Sequence, residues 1–181
     1  MLANLTPNSS PVSMSTQDSD SVEGILQAGA EFKSGSIQEF VKSIGPIENF
    51  SPDLFSVDEI HKIAVLDLRL LNLDRNACNI LVQNAIDEKT GQEFKKLVPI
   101  DHGMTIPDSL EICSYDLVWL SFDQAEAPFS PKTLQYIQKL NVDHDINFLE
   151  SNFKIRPQCL RNIKISTILL KRAAAKGLTL A

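Results

Sequence analysis

The sequence predicts an α+β domain, mostly helical, with one small β-hairpin near its centre. Three observations carry that prediction. Apolar residues recur at helical spacing before residue 72 and again after residue 130. Between these stretches lie two short strand-like runs joined by a polar turn that contains Gly91. The chain has 181 residues, enough for one domain with a tail and a core of its own.

Residues 1–30 read as a Ser/Thr-rich leader. The stretch "NLTPNSSPVSMSTQDSDS" has almost no apolar periodicity and cannot bury enough surface to offset its ordering entropy, so it is expected to be disordered. Residues 31–181 are expected to form the folded unit. A first helix is predicted from Ser36, where Ser36 and Glu39 make an S-x-x-E capping box. Ile37, Phe40, Val41 and Ile44 follow before Gly45-Pro46 ends it. A second helix starts with another such box, Ser56 to Glu59. Its apolar stripe is Val57, Ile60, Ala64, Leu68 and Leu71, widened by Ile63 and Val65, so it should be largely buried.

The pattern then changes. Residues 72–79, "NLDRNACN", are polar and irregular. Ile80-Leu81-Val82 and Lys96-Leu97-Val98-Pro99-Ile100 read as strands around the turn at residues 87–92, and Asp101-His102-Gly103 closes the second strand. Ser130-Pro131 opens a helix with Leu134, Ile137 and Leu140 inside. Ile146 and Leu149 belong to another short helix. Pro157 opens the last one, with Leu160, Ile163, Ile168 and Leu169 expected inside and Gly177 at its C-terminal cap.

Charge narrows the function classes. The formal net charge is -6, yet Lys154, Arg156, Arg161, Lys164, Lys171, Arg172 and Lys176 fall in residues 151–181, which hold no Asp or Glu. This disfavours nucleic-acid binding by the chain as a whole. It leaves a local attraction between an anionic surface and Arg161, Lys164, Lys171 and Arg172, which lie near helical spacing on one side of the last helix. No apolar run approaches the roughly 20 residues of a membrane span, and the start lacks the basic-then-apolar order of a signal peptide. Cys78, Cys113 and Cys159 form no C-x-x-C pair. A reducing, cytoplasmic location is expected, with Cys78 a small buried filler.

The chemistry concentrates in "LDLRLLNLDRNACNILV" and "LVPIDHG". Asp74 and Asn79 lie five residues apart in one loop, and Asp101 follows the hairpin. Phosphoryl transfer needs such a set: a carboxylate to orient the attacking hydroxyl and accept its proton, and an amide oxygen with a second carboxylate to hold Mg²⁺ against phosphates. The bland reading is a pair of polar turns closed by Asx hydrogen bonds. His61 and His102 are expected to be packing or hydrogen-bonding residues, and Trp119 and Phe122 to sit in the core.

In order along the chain, "GSIQEFV", "SPDLFSVDEIHKIAVLDLRLLNLDRNACNILV", "LVPIDHGMTIPD" and "LVWLSFDQAEAPFS" resemble the C-terminal lobe of phosphatidylinositol 3-/4-kinases, most of all the plant gamma-type phosphatidylinositol 4-kinases. The resemblance covers about residues 33 to 180. It implies a protein-kinase-like C-terminal lobe whose substrates are ATP, with Mg²⁺, and phosphatidylinositol at a membrane surface, to which the protein would be peripheral. It implies Asp74 as the catalytic-loop acid, Asn79 and Asp101 as Mg²⁺ ligands, and Leu81 and Ile100 as the floor of the adenine pocket. Arg75 would hold the loop or meet phosphate. Asn76 stands where many lipid kinases have His. No Gly-rich phosphate loop, phosphate-binding Lys or hinge is found, so the N-terminal lobe is expected to be absent and the chain to be a truncated form. Two further readings stay open: an atypical Ser/Thr protein kinase of the same family, and an inactive kinase fragment that acts by binding partners.

Overall fold

A 14-residue helix, α1 (Val57–Leu70), contributes residues to both halves of the core. The structure is a computed structural model and describes residues 39–109 and 116–181. Of these, residues 42–181 belong to one compact unit, and 39–41 to a separate one, Met1–Val41. The leader expected over residues 1–30 lies outside the described residues, as does Cys113.

Ser56 starts α1 by accepting a hydrogen bond from the Glu59 amide at 3.3 Å, which satisfies one of the helix's orphan donors. The reciprocal half of the capping box is not made. The Glu59 carboxylate reaches across the fold and accepts from the Leu97 amide at 2.6 Å and from Lys62 at 2.5 Å. That carboxylate therefore ties the first turn of α1 to the sheet.

The helix expected from Ser36 to Ile44 is not formed over its described part. Residues 39–44 carry no helix and lead into strand β1 (Gly45–Pro46). The Ile44 amide donates to the Val82 carbonyl at 2.8 Å, and Gln83 Nε2 donates to the Lys42 carbonyl at 2.7 Å. These two bonds tie residues 42–44 to β3. Gly45, at φ 139°, supplies a backbone shape that side chains rarely adopt.

Strand β2 (Asp74–Arg75) pairs in parallel with the later β5 (Asp116–Leu117). Between them, β3 (Ile80–Ile86) and β4 (Glu93–Pro99) form the expected hairpin, and β1 joins its outer side to give the order β1-β3-β4. Asp87 Oδ1 closes the turn by accepting from the amides of Lys89 and Thr90, a local Asx bond that replaces a backbone one. Val82 and Leu97 pair across the hairpin and are buried against Ile60, Ile63 and Trp119 of the core. Each such side chain contributes about 1.5–3 kcal/mol by leaving water.

Three helices complete the unit: α2 (Pro131–Lys139), α3 (Val142–Asn152) and α4 (Pro157–Ala175). Ser130 caps α2 and Asn141 caps α3 through their side-chain oxygens. Gly177 at φ 73° ends α4 with two bonds, Gly177 N–H to Ala174 and Leu178 N–H to Ala173, the Schellman arrangement. Leu170 and Ala174 pack with Val65 and Ile137 in a second cluster. Leu169, expected inside, is 60% exposed. It stands about 100° around the helix from Leu170, which α1 and α2 cover.

Two other expectations change. Cys78 is exposed, with its thiol 3.5 Å from a Glu48 oxygen, and that hydrogen bond and charge push the thiol pKa up. The basic side of α4 is partly engaged. Lys171 donates to the carbonyls of Gln138 and Leu140 at the end of α2, and Lys164 pairs with Asp143 at 2.8 Å.

His61 is fully buried, edge-on to Phe129, with Nε2 2.8 Å from the Gln124 carbonyl. Nε2 must donate there, so Nδ1 is the bare nitrogen, and it has no partner among the described residues. Burial pulls the imidazole below its usual pKa, opposed by the Gln124 bond and by Asp58. A lowered folded-state pKa means that the unfolded chain binds more protons. Stability is then full above about 6.5 and is lost as pH falls below it. The melting temperature should fall from pH 7 to pH 5, and His61→Gln should flatten that slope. Equal slopes in the two proteins would show that His61 does not titrate on unfolding.

Candidate functional site

The site is built where α1 stops. Leu71, at φ 53°, turns the chain out of the helix, and the loop that follows is held by its own asparagines. Asn72 Nδ2 donates to Asp67 Oδ1 at 2.9 Å, and Asn72 Oδ1 accepts from the Asp74 amide at 3.1 Å. Asn76 Oδ1 caps the short turn Ala77–Asn79 through the Cys78 amide, while its Nδ2 donates to Asp74 Oδ1 at 2.9 Å. Asn79 Nδ2 returns to the Asp74 carbonyl at 3.1 Å. Short side chains that bond to nearby backbone suit such a loop, because they replace a ladder it cannot have.

Across the hairpin, the Ile100 amide donates to the Asn79 carbonyl at 3.0 Å, so Asp101 follows directly on the residue that touches Asn79. Asp101 is exposed at φ 49°, and its Oδ1 accepts from the Gly103 amide at 3.1 Å. A Cβ at position 103 would lie 3.3 Å from that same oxygen, so glycine leaves the carboxylate room. Leu71, Asp101 and Ile106 are the only non-glycine residues with positive φ among the described residues, and all three border these loops. Strain of this kind costs about 1–3 kcal/mol per residue and persists where the surroundings over-determine the backbone.

Beneath the loops lies a buried charge pair. Arg75 and Asp67 are 0% and 2% exposed. Arg75 Nε lies 3.1 Å from both Asp67 oxygens, and its Nη2 lies 3.0 Å from Asp67 Oδ1. Its Nη1 donates to the carbonyls of Asn79 at 2.9 Å and Ile100 at 2.5 Å. Trp119 Nε1 donates to Asp67 Oδ2 at 3.1 Å. His102 Nδ1 lies 3.1 Å from Arg75 Nη2. A guanidinium only donates, so this nitrogen is the acceptor and the proton is on Nε2. Desolvation and the Arg75 charge hold the His102 pKa below its usual value.

The structure thus joins Asp74, Arg75, Asn79 and Ile100 by direct hydrogen bonds, with Asp101 next in the chain. Arg75 is enclosed, which suits a residue that holds the loop and not one that meets phosphate. Leu81 pairs with Val98, and both are half-buried, on the sheet face opposite Val82 and Leu97. Asp67, Asn72, Asn76 and Trp119 complete the site, and the sequence reading gives none of them a part in it. Asp67 had a signal: it is an acidic residue seven positions after Ile60, on the buried side of α1.

The family model described as "Phosphatidylinositol 3- and 4-kinase" matches residues 7–181. The chain belongs to the phosphatidylinositol 3- and 4-kinase family.

Among curated members of that family, "Phosphatidylinositol 4-kinase gamma 3" of Arabidopsis thaliana is 47% identical over 148 residues, which is 81% of this chain and 25% of that protein. "Phosphatidylinositol 4-kinase gamma 4" of Oryza sativa subsp. japonica is 45% identical over 148 residues, with the same shares. "Phosphatidylinositol 4-kinase gamma 4" of Arabidopsis thaliana is 40% identical over 152 residues, 83% of this chain and 26% of that protein. The chain spans about a quarter of the length of these relatives. The resemblance read from the sequence is therefore correct at the level of the family. The helices and small sheet of residues 42–181 are consistent with a kinase-like lobe of it.

The donor chemistry suits a hard cation that brings other oxygen ligands with it. No three His, Cys, Asp or Glu side chains gather into a metal-binding group among the described residues. Asn79 Nδ2 is committed to the Asp74 carbonyl, which leaves the amide oxygen available. One amide oxygen and one carboxylate match Mg²⁺ in a nucleotide complex, where phosphates and waters fill the remaining positions.

Proposed function

We propose that these loops take part in transfer of the ATP γ-phosphate to the 4-hydroxyl of phosphatidylinositol, as a 1-phosphatidylinositol 4-kinase. The observation that carries this reading is the bond from the Ile100 amide to the Asn79 carbonyl, which draws the Asp74–Asn79 loop against Asp101. In this reading Asp74 orients the lipid hydroxyl and takes its proton. Asn76 occupies Oδ1 of that carboxylate and so sets the direction of Oδ2. Asn79 and Asp101 hold Mg²⁺, which when bound neutralises charge on the β- and γ-phosphates. Leu81 and Ile100 support the adenine from the face of the sheet away from the core. Arg75 touches no reacting atom and keeps the loops in place.

The lipid substrate places the reaction at a cytoplasmic membrane surface. No described helix is long and apolar enough to cross a membrane, so contact would be peripheral. The outer side of α4 supports this. Arg161, Arg172 and Lys176 are exposed there and make no ion pair among the described residues, and Ile165 and Leu169 between them are 39% and 60% exposed. Basic residues held near anionic lipid contribute about 1 kcal/mol each.

The test is radiolabel transfer from ATP to phosphatidylinositol in mixed micelles by the full-length protein, beside its Asp74→Asn variant. Label should appear on the lipid and fall about 10²- to 10⁴-fold in the variant, the usual contribution of a positioned base. Label on protein with none on lipid would establish the protein-kinase alternative. ATP binding with no transfer at all would establish an inactive, partner-binding role.

A further inference from the structure

We propose that Asp67, acting through Arg75, is a positioning residue that sets the separation of the two loops carrying Asn79 and Asp101. The functional part of this proposal rests on the kinase reading above. The guanidinium has five N–H donors in one rigid plane, and here they reach three parts of the chain. One side is taken by Asp67 of α1. Nη1 holds the carbonyl of Asn79 and that of Ile100, the residue before Asp101. Nη2 also meets His102, the residue after Asp101. Every acceptor beyond Asp67 is therefore a proposed metal-binding residue or its immediate neighbour.

Asp67 is itself aimed. Its Oδ1 accepts from Asn72 and its Oδ2 from Trp119, while both oxygens face Arg75. An asparagine at position 67 would have a donor where one of those acceptors is needed. A buried ion pair is weak evidence for stability, because hydrophobic residues of similar volume often serve as well. What such residues would lack is the multi-point hold on two backbone carbonyls from opposite sides of the hairpin. Partners that orient metal ligands in this way typically change metal affinity about 10- to 100-fold when removed.

The test uses three variants of the full-length protein. Asp67→Asn strands the Arg75 charge and so puts the fold at risk, which is why Asp67→Leu with Arg75→Met removes both charges together. Arg75→Lys keeps the charge and loses the fork. Mn²⁺ is titrated in the presence of AMP-PNP, a non-hydrolysable ATP analogue, and amide exchange is followed at Ile100 with Val82 of β3 as the internal reference. The paired variant and Arg75→Lys should both bind Mn²⁺ about 10- to 100-fold more weakly, with faster exchange at Ile100 relative to Val82. A structural role alone would speed both amides together and leave Mn²⁺ affinity unchanged among folded molecules, which would overturn the proposal. So would weaker Mn²⁺ binding with Ile100 unaffected. If the unaltered protein binds no Mn²⁺ with AMP-PNP, the kinase reading fails by itself. The Ile100 exchange ratio still decides the positioning role: a rise in the variants supports it, and an unchanged ratio overturns it.

Discussion

Asp101→Asn should reduce phosphoryl transfer by more than about 100-fold while melting stays close to that of the unaltered protein. The fold tolerates the change for local reasons. Asp101 sits in the left-handed region at φ 49°, where asparagine is as acceptable as aspartate. The one side-chain bond it makes within the turn, from the Gly103 amide to Oδ1, is available to an amide oxygen as well. Asp101 is exposed, so stability should move by no more than about 0.5 kcal/mol, as at most surface sites. The chemistry is less tolerant. The substitution removes the negative charge that would balance the metal against the phosphates, and that balance matters most in the transition state. Turnover and thermal melting measured on the same preparations decide it. Activity within a factor of about three at saturating Mg²⁺, well short of one tenfold step in the barrier, would show that Asp101 is not a metal ligand.

The largest expected loss of stability is at Asp67, not at the exposed site. Asp67→Ala leaves the fully buried Arg75 guanidinium without its carboxylate and also strips an acceptor from Asn72 and Trp119. Breaking one side of a buried pair costs about 3–5 kcal/mol. For a chain of this size that corresponds to a fall of about 10 °C in melting temperature. Glu88→Ala, in the exposed hairpin turn, is the control and should stay within about 0.5 kcal/mol. Urea unfolding of the three proteins reads the difference directly. A loss below about 1 kcal/mol at Asp67, the size expected of an exposed pair, would mean that water reaches Arg75 once the carboxylate is gone.

Much of the architecture could be read before the structure. Ser56, Ser130, Pro157 and Gly177 mark helix ends with groups that act on backbone no more than five residues away, so local spacing is enough to find them. The hairpin was legible for the same reason, since Asp87 and Gly91 close its turn within five residues. Asp74, Asn79 and Asp101 stood out because few chemistries use an amide and two carboxylates in that order around a hairpin.

Other features depend on partners distant in the chain. Residues 39–44 had helical spacing, but β3 offers the Ile44 amide an acceptor 38 positions on in the sequence, Val82, and Gly45-Pro46 admits the strand. Hydrophobicity alone places Leu169 in the core, yet α1 and α2 cover the neighbouring stripe of α4 and leave it outside. Cys78 looked like a filler and lies on the surface beside Glu48. Arg75 has two possible roles in the sequence, and its burial against Asp67, which no local pattern announces, is what supports the loop-holding one.

The sequence by itself determined the family, the order of the main helices and the hairpin, and which oxygen-bearing side chains stand out for phosphoryl chemistry. The tertiary structure decided which of those side chains touch, and it alone revealed the support beneath them. Trp119 meets Asp67 across 52 residues, and Arg75 reaches the Ile100 carbonyl across 25. A cap or a turn is specified by backbone a few residues away. A buried guanidinium is specified by whatever the packed core places around it, and that environment exists only once α1, the loops and the hairpin have come together.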